Sequence, residues 1–371
     1  MSDYNNENLL EEARREINEV DAQMAELFVR RMRAAEKVAE YKKEHALPIL
    51  DTTREEQVVQ SNAKLVEDET LREYYVNFIR NNMAVSRAYQ SRLMEGMRVA
   101  YCGTEGAFAH IAAGKMFPNS IRVAYPDFVS AYRAVEKGEC DTVVLPVENS
   151  YNGEVGQVTD LLFSGSLYVS EMADLAVSHD LLAIPGTRIE DIKEVVSHPQ
   201  ALAQCAEYIR NNVWNTAEYS NTALAAKYVA EKQDKAVAAI ASEEAAEVFG
   251  LEVLARNINA SRNNTTRFAA FSRVESRRHS QRMGEHFILL FTVKHEAGAL
   301  AKAIDIIGRY GFNMRTLRSR PMKDLLWQYY FYVEAEGDVY TEAGEWMMRE
   351  LGFFCDRLKL AGTYFIEKSN S

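Results

Sequence analysis

Apolar residues recur every three or four positions along the first part of the chain. Between residues 7 and 95 there is no glycine and a single proline, Pro48. Such spacing is typical of long packed helices, so this segment is predicted to be all-helical. The apolar stripe of its first helix contains Leu10, Ala13, Ile17, Val20, Met24 and Leu27, followed by Ala34, Val38 and Tyr41.

After Gly96 the pattern changes to short apolar runs that alternate with helical stretches. The apolar runs begin at residues 98, 142 and 194, and helical spacing follows over 201–212 and 222–232. This alternation predicts a mostly parallel sheet with helices on its faces, ending near Arg273. The polar and basic stretch over 273–285 is predicted to be a linker.

The last segment is predicted to contain six elements. A strand over 286–295 precedes a helix over 298–310, strands near 312–320 and 326–336, a helix over 339–351 and a final strand. This βαββαβ order is that of the ferredoxin-like motif. The fold class is therefore multidomain, with an all-α domain over 1–95, an α/β domain over 96–275 and an α+β domain over 284–371.

Composition and charge narrow the function. The chain of 371 residues is 47% hydrophobic, which suits two or three domains with cores of their own. Its formal net charge of −11 gives no basic field, so neither nucleic acid nor an anionic membrane is an expected partner. Small anionic substrates remain possible where cations are gathered locally.

The four cysteines are widely spaced, which argues against a zinc site or a disulfide framework. The N-terminus is acidic and lacks the apolar core of a signal peptide, and no uncharged run approaches the length of a membrane span. We therefore expect a soluble cytoplasmic protein without a metal.

Two cations in the first helix are out of place. Arg31 occupies the stripe position after Leu27, where a cation is costly unless an anion meets it. Lys42 lies eleven residues later and returns to within about 20° of the same face. Arg14 lies roughly 25 Å from Arg31 and about 100° around the axis, so it can serve the same pocket only in an antiparallel partner chain.

Further polar positions have ordinary explanations when taken singly. Asp51 can cap a second helix whose first turn holds Arg54 and Glu55. Ser86 and Gln90 are one turn apart near the end of the third helix. An N-cap, solvated ion pairs and surface polar residues would account for each of them.

Taken together, these positions resemble the all-helical chorismate mutase family. The resemblance is carried by Arg14, Arg31, Lys42, Asp51, Arg54, Glu55, Ser86 and Gln90, with Val20 and Asp21 where the family has Leu and Asp. It implies an intertwined dimer that rearranges chorismate to prephenate. That pericyclic step needs no acid, base or cofactor, only a site that holds the compact conformer and stabilises charge on the breaking ether bond.

The resemblance also implies roles for these side chains. Arg31, Arg54 and the partner subunit's Arg14 would clamp the two carboxylates, since bidentate pairing favours arginine. The ether oxygen would be met by Lys42 and Gln90, the hydroxyl would be bound by Glu55 and Asp51, and Ser86 would complete the substrate contacts.

In the α/β segment, polar residues follow buried strands. Glu148, Asn149 and Ser150 come directly after one such strand, where open α/β sheets place ligand sites, although a polar loop explains them equally. Pro199 suits a first helical position, and the spacing of Ser197 and Gln200 predicts a capping box that needs no ligand.

The motifs "PVENS", "SHPQALAQC" and "TTRF", in that order, resemble prephenate dehydratase over 97–273. The resemblance implies two α/β lobes of the periplasmic-binding-protein type with substrate in the cleft. It places Thr266 as the hydrogen-bond donor to the departing hydroxyl, completes the motif with Arg267 and Phe268, and gives Glu148, Asn149 and Gln200 as cleft residues that orient prephenate. The first loop departs from the family, with Thr104, Ala107 and Ala109 where further hydroxyls are usual.

The last segment resembles the ACT regulatory domain, which commonly binds phenylalanine between paired domains. Gly298, Ala299 and Leu300 match its "GAL" turn, and Arg318, Ser319, Arg320 and Pro321 stand where the family has "ESRP". The exchange of Glu for Arg318 reverses the local charge. The alternative is a dimerisation module that stabilises the fold.

The leading hypothesis is a bifunctional, cofactor-free enzyme that converts chorismate through prephenate to phenylpyruvate, as a homodimer or higher oligomer inhibited by phenylalanine. The alternatives are a non-catalytic amino-acid sensor, since fold does not dictate function, and a dehydratase that also accepts arogenate.

Overall fold

The computed structural model describes residues 2–260, 263–276, 285–322 and 328–365, with side chains from residue 9 onward. Most of the linker predicted over 273–285 lies outside these residues. The chain divides after Met97 into two compact units, which we treat separately. No helix in the described ranges combines the length and the apolar character needed to cross a bilayer.

The first unit is all-helical, as the apolar spacing predicted. Its helices are α1 (Ser2–Glu44), α2 (Thr52–Ala63) and α3 (Glu69–Glu95). Asp51 caps α2 as predicted, because its Oδ1 accepts from the Arg54 amide at 2.9 Å. Asp68 caps α3 in the same way, and α3 ends at Gly96 with φ 105°. Both α1 and α2 pack against α3.

Only the C-terminal part of α1 takes part in this packing. Met32, Ala35 and Ala39 are buried on α1, whereas every residue from 9 to 30 is exposed. The apolar stripe therefore continues for about six turns beyond the packed core. Ile17 is 58% exposed and Leu27 is 61% exposed.

The second unit begins with an α/β region built on two sheets. Its strands are β1 (Arg98–Cys102), β2 (Ile121–Tyr125), β3 (Thr142–Asn149), β4 (Gly153–Glu154), β5 (Tyr168–Ala176), β6 (Asp180–Ala183), β7 (Glu194–Ser197), β8 (Asn215–Glu218), β9 (Val237–Ala241), β10 (Glu252–Ala255) and β11 (Thr265–Ser272). Its helices are α4 (Phe108–Met116), α5 (Phe128–Glu136), α6 (Gly156–Ser164), α7 (Pro199–Gln204), α8 (Ala206–Asn211), α9 (Thr222–Lys232) and α10 (Glu243–Phe249).

The prediction of a mostly parallel sheet is wrong for both sheets. β1 pairs in parallel with β2 and β3, and β7 with β8 and β9. The other strands in these sheets, among them β11 between β3 and β5, pair antiparallel within the α/β region. Local apolar runs identify strands but not their neighbours, because strand direction is set by the chain's return path.

The C-terminal region has the predicted βαββαβ order. It consists of β12 (Glu285–Thr292), α11 (Ala299–Arg309), β13 (Asn313–Pro321), β14 (Tyr329–Glu336), α12 (Glu342–Phe354) and β15 (Arg357–Phe365). The four strands lie in the order β13-β14-β12-β15 and pair antiparallel, which is the ferredoxin-like arrangement.

One sheet runs through both regions, which the sequence did not predict. β15 joins β5 in parallel at Gly362 and Val169, so the strands of the C-terminal region extend the larger α/β sheet. A shared core fills the junction, where Leu145 and Phe271 cluster with Ile288 and Tyr364. The second sheet, in the order β10-β6-β9-β7-β8, has two cores of its own.

Candidate active sites

In the helical unit, Arg31 crosses from α1 to α3. Its guanidinium donates to Ser86 Oγ and, at 3.4 Å, to the Asn82 carbonyl. Burial lowers the pKa of Arg31. Among the described residues no carboxylate lies within ion-pairing distance of it, so neutral acceptors hold a partly desolvated cation, and an anionic ligand would compensate its charge.

Gln90 lies one turn beyond Ser86 on α3. Both side chains are buried, at 8% and 5% exposure. Within the described ranges, Gln90 Oε1 has no hydrogen-bond partner. A buried amide oxygen without a donor costs free energy, which makes this position suited to a ligand.

The remaining mutase candidates lie around the α1–α2 corner or apart from it. Lys42 Nζ donates to the Ile49 carbonyl at 2.5 Å. Glu55 on α2 forms an ion pair with Arg87 on α3, next to Ser86. Arg54 is exposed in the first turn of α2, and Arg14 lies in the exposed part of α1, far from Arg31 along the helix.

In the α/β region, Asn149 at the end of β3 lies opposite Thr266 on β11. Asn149 Oδ1 accepts from the backbone amides of Tyr151 and Asn152, both at 3.0 Å, which fixes the orientation of its side-chain amide. Its Nδ2 donates to Thr266 Oγ1 at 2.9 Å and to Asn264 Oδ1 at 2.8 Å. Because Thr266 Oγ1 accepts, its own proton is left for another acceptor.

The chain of hydrogen bonds continues from Asn264 to His179, and each bond in it has a defined donor. Asn264 Nδ2 donates to Gln204 Oε1 at 3.1 Å, and the same oxygen lies 2.9 Å from His179 Nε2. His179 Nε2 must therefore carry the hydrogen, and its Nδ1 is an acceptor. Burial lowers the pKa of His179, which favours the neutral ring.

Several buried polar atoms of the α/β region lack partners. Across the described residues, His179 Nδ1, Gln204 Nε2 and Thr104 Oγ1 are buried without a hydrogen bond. Phe108, at the start of α4, meets the His179 ring edge-on at 5.9 Å between centroids. It also lines a cavity of about 260 Å³ with Asp180. His179 Nδ1 and Gln204 Nε2, at the far end of the hydrogen-bond chain from Thr266, thus leave one acceptor and one donor available to a polar ligand.

Side chains alternate along a strand, so the neighbours of Asn149 and Thr266 lie on the opposite face. Glu148 pairs there with Arg318 on β13. Arg267 donates to Asp174 on β5 at 2.8 Å, and these bonds raise its pKa. This face is turned toward the C-terminal region.

Comparison with known proteins accounts for both regions. Residues 13–91 match the family model of chorismate mutase type II, and residues 99–276 match that of prephenate dehydratase. A bifunctional chorismate mutase/prephenate dehydratase of Neisseria gonorrhoeae is 31% identical over 356 residues, which covers 95% of each chain.

The chain belongs to the bifunctional chorismate mutase/prephenate dehydratase family. The predicted enzyme of phenylalanine biosynthesis with these two activities is thereby confirmed.

Two further relatives of this bifunctional enzyme cover only its second unit. Arogenate dehydratase/prephenate dehydratase 2 of Arabidopsis thaliana is 34% identical over 280 residues, 73% of each chain. The crystal structure of prephenate dehydratase from Arthrobacter aurescens in complex with L-Phe superposes with a TM-score of 0.67 at 25% identity, over 73% of this chain and 90% of that one.

Two other predicted dehydratase residues of the bifunctional enzyme, Gln200 and Phe268, differ in their exposure to solvent. Gln200 is exposed in the first turn of α7, and Phe268 is buried at 2% exposure. The predicted capping box is wrong, because Ser197 is the last residue of β7 and its Oγ donates to the Ile240 carbonyl at 2.5 Å. His198 caps α7 instead, accepting from the Gln200 amide at 3.3 Å.

Sequence reasoning missed Gln204, Asn264 and His179. Gln204 lies one turn after Gln200 in "PQALAQ" and therefore shares its helix face, which is the signal that could have identified it. Asn264 directly precedes the "TTRF" motif but was not predicted to be a site residue.

The C-terminal candidates separate into two groups. Ala299 and Leu300, next to Gly298 with φ 83°, line a cavity of about 580 Å³ together with Tyr329 and Phe331. The "RSRP" residues lie on β13 outside this lining, and there Arg318 and Arg320 form ion pairs with the α/β region, while Ser319 and Pro321 are exposed.

Proposed function

We propose that Thr266 supplies the hydrogen bond that releases the ring hydroxyl of prephenate. The bond to the carboxylate carbon breaks and its electrons enter the ring as carbon dioxide departs. The C–O bond of the ring hydroxyl breaks at the same time, and the hydroxide takes a proton from solvent and leaves as water. Asn149 donates to Thr266 Oγ1, so the threonine proton is directed to a second acceptor, and this observation carries the proposal. Threonine is a weak acid and acts here as a positioned hydrogen-bond donor rather than as the source of the proton.

The unpartnered polar atoms of the α/β region suit the rest of prephenate. Gln204 Nε2 is a donor for a carboxylate or ketone oxygen, and neutral His179 holds that amide from behind through Gln204 Oε1. The Thr104 hydroxyl supplies a polar contact in the first loop, where Ala107 and Ala109 have none. Glu148 and Arg267, by contrast, are engaged on the opposite face of the sheet, so their proposed role is support rather than contact.

For the mutase reaction, Arg31 and Arg54 clamp the chorismate carboxylates with the partner subunit's Arg14, and Lys42 and Gln90 meet the ether oxygen. The proposal is supported by the uncompensated Arg31 cation and by the buried, unpartnered Gln90 oxygen. Positioned cations stabilise the charge that grows on this oxygen in the transition state.

A dimer follows from the same proposal. The exposed stripe on α1 is apolar over residues 9–30, and a second copy lying antiparallel would cover it and bring its Arg14 to the Arg31 pocket.

We further propose that the C-terminal region is an ACT domain that binds phenylalanine. The cavity beside the Gly298 turn offers backbone donors at the start of α11 for a carboxylate, with aromatic walls for the ring. The L-Phe complex of the Arthrobacter aurescens relative supports the choice of ligand. The alternative of a purely stabilising module predicts no binding.

Incubation of the purified chain with chorismate tests the assignment of the two sites. The Lys42→Ala variant is expected to lose chorismate rearrangement and to keep prephenate dehydration, and Thr266→Ala the reverse. Loss of both activities in either folded variant would contradict separate sites.

Arogenate is a second candidate substrate, because the Arabidopsis relative is named for both compounds. Parallel rates with prephenate and arogenate decide the matter, and a rate with arogenate at background level removes it.

A further inference from the structure

Two arginines of β13 reach across to the α/β region. Arg318 pairs with Glu148 at the end of β3, and its guanidinium lies 5.7 Å from the centre of the Tyr332 ring. Arg320 donates to Asp160 on α6 at 2.9 Å. They are two residues apart on one strand and therefore share a face.

The strand end that Arg318 contacts is irregular. β3 carries one extra residue, Val147, opposite the step between Arg267 and Phe268 on β11. A β-bulge bends its strand and interrupts the ladder. Only the last two pairs lie beyond this bulge, and the final one joins Asn149 to Thr266. Beyond the bulge β3 also pairs with β4 at Glu148 and Asn149, and the Ser150 amide donates to the Thr265 carbonyl at 2.8 Å. These backbone bonds fix the strand end but not the rotation of its side chains.

The Arg318–Glu148 ion pair adds a side-chain contact to this strand end from the reverse face. Glu148 immediately precedes Asn149, so a rotation of the strand end that released Glu148 would also move the Asn149 amide away from Thr266. Both members of the ion pair are partly shielded from solvent, with 24% and 34% of their side chains exposed, which reduces screening.

We propose that Arg318 is a positioning residue for prephenate dehydration, which holds Glu148 and thereby fixes the Asn149–Thr266 pair. This inference rests on the proposed assignment of Asn149 and Thr266 to the dehydratase site. Through this contact a residue of the C-terminal region controls the rate of prephenate dehydration directly. The contact also gives a function to the arginine that stands where related ACT sequences carry glutamate.

The charge at position 318 makes a sharp test. Arg318→Glu restores the residue type of the related sequences, yet in this chain it sets two carboxylates against each other. We expect both Arg318→Ala and Arg318→Glu to lower kcat for prephenate dehydration by about tenfold or more, with KM for prephenate unchanged. Arg318→Lys keeps the charge and should restore part of the rate.

The full-length chain is assayed with prephenate, with thermal unfolding measured on each variant. Arg315→Ala is the matched control, because Arg315 lies on the same strand in an ion pair with Glu336 at 2.6 Å and should leave kcat unchanged. The exchanged pair, Arg318→Glu with Glu148→Arg, should recover turnover. Three results would each overturn the proposal. The first is a wild-type kcat in Arg318→Ala, and the second is a loss of kcat in Arg318→Ala that Arg315→Ala reproduces. The third is an exchanged pair whose kcat is no higher than that of either single variant.

Asn149→Ala, assayed beside these variants, distinguishes a wrong assignment of the dehydratase site from a wrong role for Arg318. If Asn149→Ala turns over normally, the assignment of the dehydratase site is wrong and the positioning role falls with it. If Asn149→Ala is impaired while Arg318→Ala is not, the site stands and only the role of Arg318 is refuted.

Discussion

Asn149 donates to Thr266 Oγ1 at 2.9 Å, and the direction of this bond determines where the threonine proton can go. The direction does not depend on a choice between amide nitrogen and oxygen, because two backbone amides occupy Asn149 Oδ1. A threonine that accepts from one side donates to the other. In the proposed dehydratase site the pair would therefore act as a unit that presents one proton to the substrate.

Replacing Asn149 by aspartate should reverse this arrangement. A carboxylate of the same shape accepts the Thr266 proton instead of donating to its oxygen. We expect Asn149→Asp to lower kcat for prephenate dehydration by about 10²-fold, the usual cost of removing one positioned donor, while chorismate rearrangement continues. Phenylpyruvate formation from prephenate measures the first effect and chorismate consumption the second.

Asn152→Asp is the control for this change, since it adds the same charge to the same loop on an exposed side chain. An Asn149→Asp variant as active as Asn152→Asp would show that Thr266 does not depend on the bond from Asn149.

The sequence predicted those parts of the fold that are encoded locally. The 3-4 spacing of apolar residues gave three helices, and Asp51 was recognised as a cap from the polar side chain before the helical run. The βαββαβ order followed from the alternation of strand-like and helical spacing of apolar residues along the last segment. The pairing of the strands could not be predicted in this way, because β11 lies between β3 and β5 and pairs with β5 residues 89 to 104 positions away.

The candidate dehydratase site also divides into residues that the local sequence identifies and residues that only the fold brings together. Thr266 and Asn149 lie in motifs with recognisable order, so the sequence supplied them. Gln204 and His179 were identified only through hydrogen bonds that exist in the folded chain. Ser197 was misread as a cap because a buried strand end and a helix start look alike in sequence.

The apolar stripe on α1 should hold two copies of the chain together. Introducing charge with Ile17→Glu and Met24→Glu places two carboxylates where each apolar side chain would contribute about 1.5 kcal/mol or more on burial. We expect the double variant to dissociate and to lose chorismate rearrangement, since the partner subunit's Arg14 leaves with the partner. Analytical ultracentrifugation and the mutase rate measure the two effects.

Gln23→Glu changes a polar, exposed position on the same helix and should leave association intact. Wild-type sedimentation of the double variant would refute the interface.

Glu285, at the start of β12, should make the second unit less stable as the pH rises above neutrality. Burial, aided by the charge of Asp338, raises the pKa of Glu285 to about 7. The folded chain thus binds this proton more tightly than the unfolded chain, in which glutamate titrates near 4.3. The resulting stability is complete below about pH 4 and is lost as the pH rises through about 7.

Glu285→Gln should remove this dependence and raise Tm by a few degrees at about pH 8, with little difference at about pH 4. Glu336→Gln is a control of opposite sign, because bonds from Asn313 and Arg315 lower the pKa of Glu336, and its loss should destabilise at neutral pH. Parallel Tm curves for Glu285→Gln and the wild type across this range would contradict the assignment.

Gly362 allows β15 to join β5, and no other residue should replace it. It adopts φ +145°, and a Cβ there would lie 2.1 Å from the Val169 carbonyl oxygen. We expect Gly362→Ala to cost about 2–3 kcal/mol through overpacking against backbone that cannot move aside. The continuous sheet would separate at this pairing, and the rate of prephenate dehydration should fall as a result.

Gly352→Ala on α12 is the control, because its added Cβ meets nothing within 4 Å, and it should be neutral or stabilising by about 0.5–1 kcal/mol. Thermal unfolding of the two variants compares them directly, and equal stability would show that the contact between Gly362 and Val169 does not hold the sheet together.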